Sequence, residues 1–212
     1  MTSSYHYTVM RQEVIDNLDS NNANTYVDAT LGMGGHTLAI MESPKRPKKM
    51  ICIDLDGESL GRAQNRLKQY SKRIQYIQGS FGDIDSLVKE KVDAIIVDLG
   101  ISSYQLLHSK RGFSFNEDSS LDMRMNQDQK LTAHKIINSY NAKELSELIK
   151  NFGEEKNHFK IASEIVRQRS KEEIRTSLDL SRIIERVNTV SYTHLRAHET
   201  LRYLVCRLLL EK

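Results

Sequence analysis

Cysteine is scarce in this sequence: Cys52 and Cys206 are the only two, too far apart for a metal-ligating pair and too few for a disulfide framework. That excludes the small disulfide-stapled folds and points to a reducing compartment, so a cytoplasmic location is expected. Long apolar runs are missing as well. The longest, "AIIV" at 94–97 and "LLL" at 208–210, fall far short of the roughly 20 residues a membrane span needs. The opening "MTSSYHYT" lacks the apolar core of a signal peptide, so no membrane and no export is expected. The histidines are scattered without ligand-like spacing, which gives no reason to invoke a metal. A dominant charge sign is lacking too, for the formal net charge is +3, a pointer to an anionic partner that decides nothing alone.

What remains is an ordinary soluble composition. With 39% hydrophobic and 28% charged residues, 212 residues suffice for one α/β domain or for one domain carrying a smaller insertion. Met10, Val14, Ile15 and Leu18 recur at helical spacing and predict an opening amphipathic helix. Four strand-like runs follow: "TYVDAT" (25–30), "KMICIDL" (49–55), "IQYIQG" (74–79) and "VDAIIVDL" (92–99). Helical segments separate them, one of them lined by Leu60, Ala63, Leu67 and Tyr70 behind an N-cap at Asp56, with shorter helices after Gly35 and Asp83. Strands alternating with helices predict βαβ units and a parallel sheet covered on its faces.

From about residue 100 the pattern changes to a long polar loop, "DLGISSYQLLHSKRGFSFNEDSSLDMRMNQ", followed only by helices. Asn141 with Glu144 reads as a capping box, Gly153 as a helix stop, and Thr176 with Asp179 as the start of a last helix. Phe159, Ala162, Ile165 and Val166 stripe another. A helical subdomain is therefore expected to follow or interrupt the α/β domain.

In an open parallel sheet, ligands bind beyond the carboxyl ends of the strands. Three of the four predicted strands end in acid, at Asp28, Asp54 and Asp98. Between the first strand and its helix lies "VDATLGMGGHTLAIM", in which Gly32, Gly34 and Gly35 bare the backbone where it enters a helix. Asp54 falls 22 residues after Gly32, a separation at which a carboxylate can take both ribose hydroxyls of an adenosine. A dinucleotide fingerprint would place a third glycine where Thr37 stands, which counts against NAD and a nucleotide-dependent oxidoreductase. S-adenosylmethionine has no pyrophosphate to cradle and needs a bare loop flanked by acceptors, which Asp28 and Asp98 can supply directly or through water. The bland reading of each acid is a turn cap, and three around one glycine turn outweigh it. His36, inside that turn, is read as a ligand contact or as a helix cap.

These stretches carry a resemblance. "DATLGMGGH", "DLGISSYQL…RGFSF…LDMRM" and "NFGEEKNHFKIASEIVRQR", with "YHYTVMRQEV" at the start, resemble the RsmH (MraW) family from about Tyr5 to Val187. Members of that family methylate the N4 of a cytidine in 16S ribosomal RNA of the small ribosomal subunit. The resemblance implies a class I (Rossmann-like) methyltransferase sheet with an inserted helical subdomain. It further implies S-adenosylmethionine contacts from Gly34, Gly35, His36, Asp54, Phe81, Asp98 and Gln105. Tyr104 stands where the family usually has proline.

The family pattern is not continued to its usual end, so an incomplete sheet is expected. After about Val190 the run "SYTHLRAHETLRYLVCRLLLEK" follows no family pattern and resembles a translated sequencing adapter; a real helix striped by Leu201, Leu204, Val205 and Leu208 is the alternative. The expected organisation is a cofactor-binding α/β part over 1–104, a loop and helical substrate-recognition part over 105–189, and a non-native tail over 190–212. Asp98 is the candidate acceptor that would localise the cytosine N4 lone pair for attack on the methyl group, against the simpler role of cofactor contact. Arg111 and Arg124, flanking Phe113 and Phe115, could pair phosphates and stack on an extruded base, or the phenylalanines could pin the loop to a core. "SPKRPKK" could touch phosphate or simply be solvated. An active rRNA methyltransferase and a non-catalytic fragment that keeps only cofactor or RNA binding are both compatible with these residues. The run "DAIIVDL" reads as a strand buried on both faces with a neighbour on each side. Without the later strands it becomes an exposed edge, which would make the chain marginally stable and poorly soluble.

Overall fold

The computed structural model describes residues 8–18, 24–114 and 117–187. The chain divides into two compact units, with the boundary between Ser102 and Ser103.

The first unit is α/β. Its elements run Arg11–Asn17 (α1), Thr25–Asp28 (β1), Gly35–Glu42 (α2), Lys49–Asp54 (β2), Gly57–Arg66 (α3), Ile74–Gln78 (β3), Ile84–Leu87 (α4) and Ala94–Ile96 (β4). All strand pairs are parallel and the order is β3-β2-β1-β4, which matches the first four strands of a doubly wound, Rossmann-like sheet. Alternate residues of the two inner strands serve different cores. Tyr26, Met50 and Cys52 join Ile40 and Met41 of α2 and Leu60 and Ala63 of α3 on one face. Val27, Ile51 and Ile53 meet Ile84 and Leu87 on the other. Both faces are thus covered, which is why β2 reads as an almost unbroken apolar run, and each fully buried Ile contributes about 1.5–3 kcal/mol.

Local chemistry sets the ends. Asp56 caps α3, its carboxylate accepting from the Glu58 N–H (3.0 Å) and the Ser59 hydroxyl (3.2 Å). In the opening helix the expected apolar stripe holds through Val14 and Ile15, which pack on the core, whereas Met10 lies before α1 in a left-handed conformation and is exposed.

The fourth strand departs from expectation. The run 92–99 yields only Ala94–Ile96, because its partner β1 ends at Asp28, the last residue opposite Ile96. Its flank is, however, the exposed edge expected of this run without later strands beside it. Among the described residues it pairs with β1 alone, and Ile95 and Val97 are 50% and 47% exposed.

The second unit is helical: Ser103–His108 (α5), Ala133–Ser139 (α6), Ala142–Gly153 (α7), His158–Arg169 (α8) and Ser177–Val187 (α9). The segment expected to be loop throughout therefore begins with a short helix. Ile136, Ile137, Leu145, Ile149, Ile161, Ala162, Ile165, Leu180, Ile183 and Ile184 are all buried. The capping box of α7 forms as expected, Asn141 accepting from the Glu144 N–H (3.0 Å) and Glu144 from the Asn141 N–H (2.7 Å). Thr176 and Asp179 make the same reciprocal pair before α9. At the end of α7, Glu154 and not Gly153 adopts the left-handed conformation that stops the helix. The loop before α6 is organised by its own arginines. The guanidinium of Arg111 is buried, donates to the Arg124 and Met125 carbonyls and lies over the Phe113 ring. Arg124 forms a two-pronged pair with Asp122 through Nε and Nη2, both at 2.7 Å.

Phe115 and the tail from 190 lie outside the described residues, as does the start of the "YHYTVMRQEV" stretch.

Candidate functional site

Strand order reverses between β1 and β4, since β2 and β3 lie on one side of β1 and β4 on the other. A crevice opens at the carboxyl ends of such a pair, and the loop leaving β1 lines it. That loop is the glycine turn. Main-chain bonds hold its start on both sides, Ala29 N–H to the Ile96 carbonyl (2.9 Å) and Leu31 N–H to the Ile53 carbonyl (2.9 Å). Gly32 and Gly34 both have positive φ (52° and 74°), where a side chain would be strained. Gly34 also packs directly on α3: a Cβ there would come within 3.0 Å of Leu67 and 3.4 Å of Ala63. Gly35 starts α2 beneath Thr8, whose hydroxyl would collide with any Cβ at that position. The first turn of α2 has no side-chain cap, so its N–H groups face the crevice end of the helix with the positive end of the helix dipole.

Asp54 closes β2 beside this turn. Its carboxylate accepts from the Gly32 N–H (2.6 Å) and the Asp56 N–H (2.8 Å), and burial pushes its pKa up to about 6 against those bonds. His36, on the first turn of α2, places Nε2 3.5 Å from the Asp98 carboxylate, an ion-pair distance longer than a hydrogen bond. Its side chain is only 11% exposed while that of Asp98 is 55% exposed. The other ring nitrogen, Nδ1, is buried without a hydrogen-bond partner. Phe81 follows β3 in a short turn and is exposed.

Two of the three acids therefore differ from expectation. Asp98 does not end β4 but lies two residues beyond it, held by its N–H donating to the Thr30 hydroxyl (2.7 Å). Asp28 is buried, so it does not face the crevice as a ligand acceptor. Its carboxylate takes the Thr37 hydroxyl (2.6 Å) and the Thr30 N–H (3.3 Å), and burial raises its pKa. Thr37 also lies 3.5 Å from the Cys52 sulfur, whose thiol burial likewise pushes up.

The first unit thus brings Gly34, Gly35, His36, Asp54, Phe81 and Asp98 to the carboxyl side of one sheet. Gln105 falls outside that group. It belongs to the second unit, buried on α5, where its main-chain carbonyl accepts the Ser109 hydroxyl (2.6 Å). Arg111 and Phe113 are buried and Arg124 is paired with Asp122 in the second unit's loop, so Phe113 takes the alternative expected of it, pinning that loop to a core.

Thr30 and Arg66 carry no signal in the sequence, and Thr37 reads there only as an absent glycine. Thr37 stands where a dinucleotide site has glycine, and its hydroxyl instead ties α2 to β1. Arg66, at the end of α3, donates to the Met33 carbonyl inside the turn (3.1 Å). Arg66 lies 33 residues from Met33 in the chain and so gives no local signal, since only tertiary packing brings α3 under the turn. Among the described residues no group of three or more His, Cys, Asp or Glu is placed to hold a metal, and no helix is long and apolar enough to cross a membrane.

Comparison with known proteins adds an independent line. The family model described as the MraW methylase family matches residues 3–205, reaching past the Val187 at which the motif resemblance stops. A Ribosomal RNA small subunit methyltransferase H of Clostridium botulinum (strain Kyoto / Type A2) is 44% identical over 185 residues, 85% of this chain and 60% of that protein. The protein of the same name from Fusobacterium nucleatum is 38% identical over 188 residues, 87% of this chain and 60% of its own length. The chain therefore spans about 60% of the length of the curated relatives it matches. Among solved structures, an rRNA methylase from Streptococcus thermophilus aligns with 46% of this chain and 54% of its own at 22% identity and a TM-score of 0.34.

Proposed function

The chain belongs to the MraW methylase family, and from that premise we propose that it binds S-adenosylmethionine and serves methylation of the N4 of a cytidine in 16S rRNA of the small ribosomal subunit. The observation that supports this reading best is the gathering of Asp54, His36 and Asp98 around a glycine turn at the point where strand order reverses.

The residues suit the cofactor. Asp54 would take the ribose hydroxyls with its remaining lone pairs, Phe81 offers an exposed ring for the adenine, and the bare backbone of Gly34 and Gly35 admits the methionine part. The buried, unpartnered Nδ1 of His36 is the kind of atom a ligand satisfies. When bound, S-adenosylmethionine supplies a methyl group made electrophilic by the positive sulfur. Asp98 would accept a hydrogen bond from the cytosine amino group, which concentrates the nitrogen lone pair that ring conjugation otherwise spreads. His36 Nε2, 3.5 Å from the Asp98 carboxylate, is close enough to bias its orientation. Positioning contributes more than proton transfer where the leaving group is good, so Asp98 acts first by orientation and then as the acceptor of the amino proton. Gln105 is proposed as a further cofactor contact by motif position only.

Calorimetric titration with S-adenosylmethionine tests the site, with Asp54→Ala as control. Loss of hydrogen bonds to a charged acceptor predicts affinity lower by tenfold or more in the variant. Equal affinity in the two proteins would sink the assignment of Asp54. Incubation with immature small ribosomal subunits, analysed for N4-methylcytidine, tests the reaction. Cofactor binding without product would mean that this chain retains a binding function alone.

A further inference from the structure

The last matched pair of β1 and β4 is Asp28 with Ile96. One main-chain rung follows it, from the Ala29 N–H to the Ile96 carbonyl (2.9 Å). In a regular parallel ladder the next rung would run from the Asp98 N–H to the Ala29 carbonyl. Here the chain after β1 has turned towards β2, where the Leu31 N–H donates to the Ile53 carbonyl. The Asp98 N–H goes instead to the Thr30 hydroxyl, at 2.7 Å. A side chain thus supplies the rung that the main chain has left.

Thr30 is itself fixed from beneath. Its N–H donates to Oδ1 of Asp28 (3.3 Å), and Oδ2 of the same carboxylate accepts the Thr37 hydroxyl of α2 (2.6 Å). Asp28 is fully buried, a costly carboxylate for which the proposed chemistry has no use. Asp98 is the opposite case: its side chain is exposed, as are Val97 and Leu99 beside it, so packing does not hold it. A group that orients a nucleophile has to be held, because small misplacements cost rate steeply.

We propose that Thr30 is a positioning residue for Asp98, anchoring its main chain at the crevice from the buried Asp28; this rests on the role given to Asp98 above. Thr30 acts through Asp98 and not on the reacting atoms. Its methyl group is incidental to that task, and its hydroxyl is essential. Valine keeps the shape and the N–H to Asp28 but lacks the acceptor, whereas serine keeps the acceptor.

Amide hydrogen exchange of the full chain, followed by NMR, tests the anchor. Thr30→Val is expected to speed exchange at Asp98 about tenfold and Thr30→Ser to restore it. Ala29, whose bond to Ile96 is main chain alone, should exchange at the parent's rate in both variants. Unchanged exchange at Asp98 would overturn the proposal, and so would faster exchange at both residues, the mark of a loosened sheet edge. Methyl transfer to immature small ribosomal subunits gives the second readout. Thr30→Val should lower kcat about ten- to a hundredfold, with KM for S-adenosylmethionine within about twofold of the parent, and Thr30→Ser should recover most of the rate. A higher KM at unchanged kcat would overturn the proposal. Asp98→Asn separates the two failures. If it lowers kcat while Thr30→Val does not, the anchor is wrong and the role of Asp98 stands; if it transfers methyl groups at the parent's rate, that role falls. A parent that forms no product would refute the reaction for this chain, and the exchange pattern would decide the anchor.

Discussion

Asp54, in the proposed cofactor site, would combine two duties that respond oppositely to pH. Its folded-state pKa, near 6, exceeds the ordinary carboxylate value of 3.8, so the folded chain holds that proton longer than the unfolded chain does. Folding stability from this group is therefore greatest below about pH 4 and falls as pH rises through 6. Buried Asp28, raised in the same direction, adds to the trend. Cofactor affinity should move the other way, because ribose hydroxyls donate to a carboxylate and not to its protonated form. Titrations between pH 5 and 7.5 should show affinity climbing to a plateau above about 6, and an Asp54→Asn variant should show neither the climb nor the plateau value. At Thr37 the conservative exchange is the informative one. Thr37→Val leaves the Asp28 carboxylate short of its 2.6 Å donor and should cost about 1–3 kcal/mol in chemical denaturation. Thr37→Ser keeps the hydroxyl and should recover most of that loss; equal destabilisation by both would show that the methyl packing matters and the hydrogen bond does not.

The glycine turn is shaped by the helix beneath it as much as by its own residues. Arg66 and Leu67 close α3 against Met33 and Gly34, so Arg66→Gln should weaken S-adenosylmethionine binding about three- to tenfold with little change in thermal midpoint. A shared fall in both would make Arg66 a stability residue only. Elements with local signals were legible in the sequence. Asp56, Asn141 with Glu144, and Thr176 with Asp179 each cap a helix through bonds spanning two or three residues. Gly32 and Gly34 announce a turn whose positive φ angles only glycine tolerates cheaply. What could not be read was whatever a distant partner decides. The end of β4 follows from where β1 stops, and the burial of Asp28 follows from the arrival of Thr37. Arg111 seemed available for phosphate until the carbonyls of residues 124 and 125 were seen to use it.

For the molecule as a whole, β4 is the exposed flank of the sheet among the described residues. Ile95, Val97 and Leu99 face solvent there beside unpaired backbone, a combination that templates association. Sedimentation velocity should show concentration-dependent oligomers that Ile95→Lys suppresses, and a monomer at every concentration for the parent chain would refute this. The contacts on the other flank of that strand have a different implication. His36 meets Asp98, Asp98 bonds Thr30, Thr30 bonds Asp28, and Asp28 takes the hydroxyl of Thr37, next to His36 in the chain. The circuit is closed, yet its Thr30–Asp98 link spans 68 residues. Until that long loop shuts the circuit stays open at Asp98, and non-local closures of this kind come late in folding. Competence to bind the cofactor should accordingly arise in one step, at the end of refolding: in stopped-flow experiments its onset should coincide with the slowest structural phase and not with the earlier gain of helix.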